Sequence, residues 1–160
     1  MNALKKLNKN SDWRKILGKA MADKHQTDVE LILRAFGLCN HIDMYEKPMK
    51  YFLNRIAEKY QKEYKNKIID FERRFREAAS LVANNFRDKP FAVRGPLSTS
   101  LFDSIFCTII NNIDNLPNDI ASRYEALLRD KTFVEYTTRA TSDEKILKER
   151  FRYAHKKLIG

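Results

Sequence analysis

Arg150 and His155 are the two side chains whose spacing most directly suggests catalysis. They form an R-x4-H pattern near the end of the sequence, and a histidine that titrates near neutral pH can transfer protons as a general acid or base. Such a pair could cleave RNA with the help of the 2′-hydroxyl group and without a metal ion. Any arginine-bearing surface helix with a histidine five residues later has the same pattern. Both interpretations therefore remain open at this point.

The R-x4-H pattern is similar to that of the HEPN-type ribonucleases, which are helical and use the arginine and histidine of paired subunits. Those enzymes usually place a small polar residue after the arginine, whereas this sequence has Phe151. The resemblance implies a metal-independent ribonuclease as one alternative function.

Patterns for metal binding or for phosphate binding by a glycine-rich loop are not found in the sequence. Cys39, Cys107 and three histidines are scattered, without C-x-x-C or H-E-x-x-H spacing. The four glycines are isolated, so they cannot form a glycine-rich loop. Both cysteines occur in apolar helical patterns, which is typical of free thiols in a reducing cytoplasm. We expect no metal site, no cofactor and no disulfide.

The segment from Thr27 to Cys39 is expected to organise the fold. Thr27 and Glu30 form an S/T-x-x-E pattern, which predicts a capped helix start. Apolar residues then follow at helical spacing and cover most of the circumference, as expected for a helix at the centre of a bundle. Arg34 needs a partner in such an apolar helix. Glu30, one turn earlier, is the nearest candidate, and we predict Glu30–Arg34 as a structural polar pair.

A second nearly all-apolar helix is predicted from Leu101 to Ile113. We predict an all-α fold, an irregular bundle of about seven or eight helices around these two buried apolar helices. The length favours a single domain, 1–160, with possible sub-layers 1–86 and 97–160 joined by a loop at 87–96 that contains two prolines and a glycine.

Several boundaries and one anchor can be predicted locally. Gly18 should end the second short helix, which Ser11 or Asp12 should cap. A break between 60 and 66 should separate two later helices. Ser142 should cap the last helix. The only tryptophan, Trp13, is interpreted as a packing anchor rather than a platform for stacking bases.

The formal net charge of +10 suggests nucleic acid as a partner. Residues 1–90 contain 20 Lys and Arg against 12 Asp and Glu, a net +8, and residues 91–160 contain 11 against 9, a net +2. A solvated basic surface without a ligand is the alternative. The candidate DNA-contacting residues are Lys62, Lys65, Lys67, Arg73, Arg74, Arg94 and Arg139.

Four segments carry a resemblance to a known family: DVELILRAFGL, PMKYFLN, LFDSI and TFVEYTTRATS. In this order they resemble the helical region of the prokaryotic family headed by the GmrS half of GmrSD-type restriction and phage-defence systems, domain of unknown function 262. The catalytic ParB- and sulfiredoxin-like domain of that family carries a D-G-Q-Q-R sequence, which is missing here, as is an HNH extension. The resemblance therefore implies a non-catalytic helical domain that binds DNA weakly or supports a nuclease or NTPase module. A ParB-like nuclease or NTPase domain would then be a partner supplied by another chain, or it would have been lost.

A stand-alone helical module for protein–protein interaction is the remaining alternative. The N-terminus lacks the apolar region of a signal peptide. Apolar runs also fall short of the roughly 18 residues that a membrane span requires. We therefore expect a cytoplasmic protein without membrane contact.

Overall fold

The chain folds as an all-α bundle over the residues that the computed structural model describes, 2–61 and 65–160. Within these ranges nine helices follow one another, compared with the seven or eight predicted. They are α1 (Asn2–Asn8), α2 (Ser11–Leu17), α3 (Thr27–His41), α4 (Met49–Tyr60), α5 (Lys65–Asn85), α6 (99–111), α7 (Ile120–Arg129), α8 (Lys131–Thr138) and α9 (Glu144–Leu158). The predicted fold class is confirmed.

Helix α6 changes its hydrogen-bonding pattern along its length. An α-helical turn, Thr99–Leu101, leads into a π-helical stretch, Phe102–Phe106, and the helix continues as α from Cys107 to Asn111. Short 3₁₀ turns, Ile42–Met44 and Ile113–Asn115, follow α3 and α6.

Helices α3 and α6 are the two buried helices that the sequence predicts. All residues from Phe102 to Ile110 are buried, and so are most apolar residues of α3. Helix α3 packs against α6 and also contacts α1 and α4. Leu33 is an exception, since it lies at the edge of the core and is only partly buried.

Trp13 is a packing anchor, as predicted. Its side chain is fully buried, and its ring centroid lies 5.3 Å from that of Phe75 and 5.6 Å from that of Phe102. Its Nε1–H donates to Oδ1 of Asn8 at 3.0 Å. The indole therefore joins α2 to α5 and α6, and it is not available for stacking on a base.

The start of α3 differs from the prediction. Gln26 precedes the helix with a left-handed φ of 57° and provides no side-chain cap. The hydroxyl of Thr27 instead donates to Oδ2 of Asp23 at 3.0 Å. The predicted capping box is therefore wrong, because the helix begins one residue earlier than a Thr27 cap requires, and the N–H of Glu30 donates to the carbonyl oxygen of Gln26 at 3.0 Å.

The other predicted caps differ by one residue. Asn10 caps α2 by accepting the N–H of Trp13 at 2.9 Å, in place of Ser11 or Asp12. Asp143 caps α9 in place of Ser142. Both observed caps are ordinary N-cap residues beside the predicted ones, so the error concerns the register and not the helix.

Gly18 ends α2 with a φ of 68°, as predicted. The predicted separation of α4 from α5 is also confirmed at both flanks, because α4 ends at Tyr60 and α5 begins at Lys65. Residues 62–64 of the predicted break lie outside the described residues. No helix in the described ranges combines the length and apolar character that crossing a membrane requires.

The connection between α5 and α6 is docked on the core. Phe91 is buried, and its ring centroid lies 5.5 Å from that of Phe102. The hydroxyl of Tyr124, on α7, donates to the carbonyl oxygen of Pro90 at 2.5 Å. These contacts hold the connection against α6 and α7 just before Arg94.

Candidate nucleic-acid interface

Two loop arginines predicted from the sequence, Arg94 and Arg139, line the same surface groove. Arg129 and Lys131 line it as well, and the groove encloses about 460 Å³. All four side chains are exposed. We call this site, defined by Arg94, Arg129, Lys131 and Arg139, the cationic groove.

The positive charge of the cationic groove is not neutralised by ion pairs within the described part of the chain. None of its four cations comes within 4.0 Å of a carboxylate oxygen there. Glu135 is the single carboxylate among the lining residues, against four cations. The lining therefore has an excess of three positive charges, which favours an anionic ligand.

The junction of α7 and α8 places two of the four cations. Asp130 separates Arg129 from Lys131 and caps α8 by accepting the N–H of Phe133 at 3.1 Å. The hydroxyl of Tyr153, on α9, donates to both carboxylate oxygens of Asp130, at 2.9 and 2.8 Å. The turn between the helices is thus held from inside, and the two flanking cations extend into the groove.

Partial burial raises the pKa of Asp130, but the hydrogen bonds from Tyr153 and the α8 backbone outweigh it and lower the pKa below its usual range. This carboxylate stays ionised, and it is engaged in the cap and with Tyr153 while its neighbours in sequence remain unpaired.

The predicted basic residues on α5 have a different environment. Arg73 lies within 3.1 Å of Glu77 and 3.4 Å of Asp70, and Arg74 lies within 2.9 Å of Asp70. Asp114, in the turn after α6, lies 3.5 Å from Arg73 and 3.8 Å from Arg74. A phosphate would have to displace these carboxylates, so this cluster is a weaker anion site than the sequence suggests.

The lysines of the same predicted surface lie at and just before the start of α5 in the sequence. Lys65 and Lys67 are exposed on the first turn of α5. Lys62 lies outside the described residues. Lys65 and Lys67 are accessible to an anion, and among the described residues they are not part of the lining of the cationic groove.

Arg34 has a structural partner, but the partner is not Glu30. Its Nε donates to Oδ1 of Asp103 at 3.1 Å, and its Nη2 donates to Oδ2 of the same carboxylate. Asp103 is fully buried in the π-helical stretch of α6, whereas Glu30 acts on Arg34 only through its charge. The predicted Glu30–Arg34 pair is corrected, because the bidentate contact lies between two helices and not along one.

Arg150 and His155 do not form a site. Arg150 is 1% exposed, and its Nη1 donates to the carbonyl oxygens of Tyr136 at 3.1 Å and Thr141 at 3.2 Å. Its Nε has no hydrogen-bond partner among the described residues. His155 is exposed to solvent. Arg150 therefore anchors α9 to the end of α8, and it cannot reach an RNA substrate without leaving the core.

Among the described residues, no group of three or more His, Cys, Asp or Glu side chains is arranged to hold a metal ion. The thiols of Cys39 and Cys107 are free. Burial raises the pKa of Cys107 well above its usual range. A thiol with this pKa is a poor nucleophile at neutral pH.

Comparison of the chain with protein-family models, with curated proteins and with solved structures gave no match. The candidate site therefore depends on geometry alone. Sequence reasoning found Arg94 and Arg139 but missed Arg129 and Lys131. The R-D-K sequence at a helix–helix junction was the available signal, because the central aspartate is a good cap and leaves the flanking cations at the surface.

Proposed function

We propose that this protein is a non-catalytic helical module that binds the phosphate backbone of nucleic acid through the cationic groove. The observation that carries the proposal is the convergence of four exposed cations, without ion-pair partners in the described ranges, on one concave surface. Lys and Arg that neutralise phosphates release counterions, and this release drives binding that is independent of sequence.

A role beside a nuclease or NTPase module of a restriction or phage-defence system belongs to the same proposal. It is supported by the four sequence segments that resemble the GmrS-type family and by the buried position of Arg150, which disfavours the ribonuclease alternative. Loss of nucleic-acid binding would favour the alternative of a stand-alone protein–protein interaction module.

Fluorescence anisotropy with a labelled DNA duplex tests the proposal. We expect a dissociation constant of roughly 10⁻⁴–10⁻⁶ M at physiological salt, with tighter binding at about 50 mM salt than at about 200 mM. The double substitution Arg94→Glu/Arg139→Glu should weaken binding at least about tenfold, because each lost charge contact contributes on the order of 1 kcal/mol.

Lys65→Glu/Lys67→Glu is the matched control, since it makes the same change in net charge on α5. Equal weakening by both double variants would mean that net charge and not the cationic groove determines binding. Stronger weakening by the α5 variant would place the interface on α5. Absence of binding at low salt would exclude the proposed function. Circular dichroism should show that both variants remain folded.

A further inference from the structure

An apolar cavity opens directly beside the cationic groove. It encloses about 200 Å³, and Arg94, Val134 and Thr138 line both sites. A cavity that holds one water molecule needs only about 10–15 Å³, so this cavity accepts a much larger group. We call it the apolar slot.

The walls of the apolar slot come from two sides of the chain. Val93 and Pro96 contribute from the connection between α5 and α6, and Leu128 and Phe133 contribute from α7 and α8. Phe133 is fully buried, and Leu128 is nearly so. These walls are therefore held by the core, and the cavity is formed without a ligand.

Hydroxyl groups add a few polar positions to these apolar walls. Thr138 donates its hydroxyl to the carbonyl oxygen of Val134 at 2.8 Å, and Thr137 donates to the same oxygen at 3.0 Å. Each hydroxyl oxygen can still accept a hydrogen bond. Apolar walls with a few convergent polar groups are typical of a binding site for an organic ring.

Arg94 lies where the apolar slot meets the cationic groove. It is exposed and has no carboxylate partner within the described part of the chain. A planar guanidinium can stack on a nucleobase and can also contact a phosphate. The combination matches a ligand in which an anion and a flat ring lie next to each other, as in a nucleotide unit.

We propose that the apolar slot receives one nucleobase of a single-stranded nucleic acid whose flanking phosphates lie in the cationic groove. This inference rests on the proposed function, which it narrows to a class of nucleic acid. The four cations of the groove carry enough positive charge to contact more than one phosphate, so they suit a chain of repeated phosphates. A duplex keeps its bases stacked and paired, so it offers the phosphates but no base for the apolar slot.

Anisotropy titrations with three labelled probes test the inference: an oligothymidylate of about 15 nucleotides, an abasic strand of the same length, and a duplex of the same length. The oligothymidylate should bind between about 5-fold and 150-fold more tightly than the abasic strand, the range expected for one stacked base. The duplex differs from both strands in charge density, so its absolute affinity is not compared with theirs; its binding should be independent of the apolar slot.

Val93→Phe should fill the apolar slot without changing the charge of the cationic groove. We expect it to lower the affinity for oligothymidylate to that of the abasic strand and to leave the affinity for the abasic strand unchanged. Val93→Ala, which enlarges the apolar slot, is the matched control and should keep the preference for the base. If thermal melts show that Val93→Phe is unfolded, Pro96→Phe replaces it, because Pro96 is exposed.

The outcomes separate this inference from the proposed function. Equal binding of the oligothymidylate and the abasic strand would overturn the inference, as would a preference for the base that survives both slot-filling variants. If Arg94→Glu/Arg139→Glu still lowers the affinity for all three probes in those cases, the proposed function stands without the apolar slot. If that variant leaves the affinity for all three probes unchanged, the proposed function fails as well.

Discussion

The contact between Arg34 and Asp103 joins the two central helices, α3 and α6. Its removal should lower the free energy of unfolding by several kcal/mol. Asp103 is fully buried, and the Arg34 side chain is 13% exposed. The substitution Arg34→Met keeps most of the side-chain volume and leaves a buried carboxylate without its bidentate partner. Breaking a buried pair in this way costs about 3–5 kcal/mol.

Protonation of Asp103 sets an upper bound on this cost. A carboxyl group with an ordinary pKa of about 3.9 needs roughly 4 kcal/mol to become protonated at about pH 7. The nearby charge of Arg150 also favours the ionised carboxylate and retains part of the stabilisation. We therefore expect a loss of about 3–4 kcal/mol for Arg34→Met, which corresponds to a melting temperature lower by about 6–16 °C for a chain of this length.

Acid should reduce the deficit of Arg34→Met. Burial raises the pKa of Asp103, and the charge of Arg34 opposes that rise. Without the guanidinium the folded-state pKa of Asp103 rises further above its unfolded value. A carboxyl group with a raised pKa favours the folded state at low pH and disfavours it as the pH increases. Melting temperatures of Arg34→Met and the wild type should therefore converge between about pH 7 and about pH 4.

Two further variants check this reasoning. Arg34→Met/Asp103→Leu removes the buried pair and should recover part of the lost stability, because apolar replacement of a whole buried pair is often neutral. The recovery should be incomplete, because the buried Arg150 loses the nearby negative charge of Asp103. Arg74→Met removes an arginine from a solvent-exposed ion pair and should cost less than about 1 kcal/mol. A wild-type melting temperature for Arg34→Met at neutral pH would show that the pair does not stabilise the fold. A deficit that does not change with pH would show that titration of Asp103 does not cause it.

Two predictions concern other parts of the fold. Phe36→Ala should cost about 3–5 kcal/mol of unfolding free energy in chemical denaturation, whereas Leu33→Ala should cost less than about 2 kcal/mol, because Phe36 is 3% exposed and Leu33 is only partly buried. Equal costs would mean that α3 packs through a different face. Asp130→Asn should make the melting temperature less dependent on pH in acid. An aspartate with a lowered pKa stabilises the fold at neutral pH, and this contribution is lost as the pH falls below about 3.9. Asn still caps a helix well, so a large loss of melting temperature at neutral pH would contradict this interpretation.

The helices were predictable from sequence because their information is local. Apolar residues at helical spacing identify α3, and a high density of apolar residues between Leu101 and Ile113 identifies α6. The π-helical stretch of α6 was not predictable, since π, α and 3₁₀ turns can each bury the apolar residues that surround Asp103 and Ser104. The helix starts were predictable only to within a residue, because neighbouring cap residues such as Ser142 and Asp143 compete for the same backbone N–H groups.

The partner of Arg34 shows where local rules stop. Glu30 lies one turn away, and helix geometry makes it the natural choice for a residue considered alone. Asp103 is 69 positions away in sequence and meets Arg34 only after α3 packs on α6. Deep burial then makes that contact decisive, because an unpaired charge costs more in the core than at the surface. Sequence patterns could show that Arg34 needs a partner, but they could not identify it.

The net charge of a segment likewise does not show which of its cations are paired in the fold. This difference changes the location of the candidate binding site. The four cations of the cationic groove all belong to residues 91–160, the part with a net charge of only +2. The more basic part, residues 1–90, includes Arg73 and Arg74, which carboxylates already engage. An anion responds to the local potential that remains after such pairing and not to the number of basic residues in a segment. A groove in the less basic part is therefore the stronger candidate, and the comparison of groove and α5 double variants measures that difference directly.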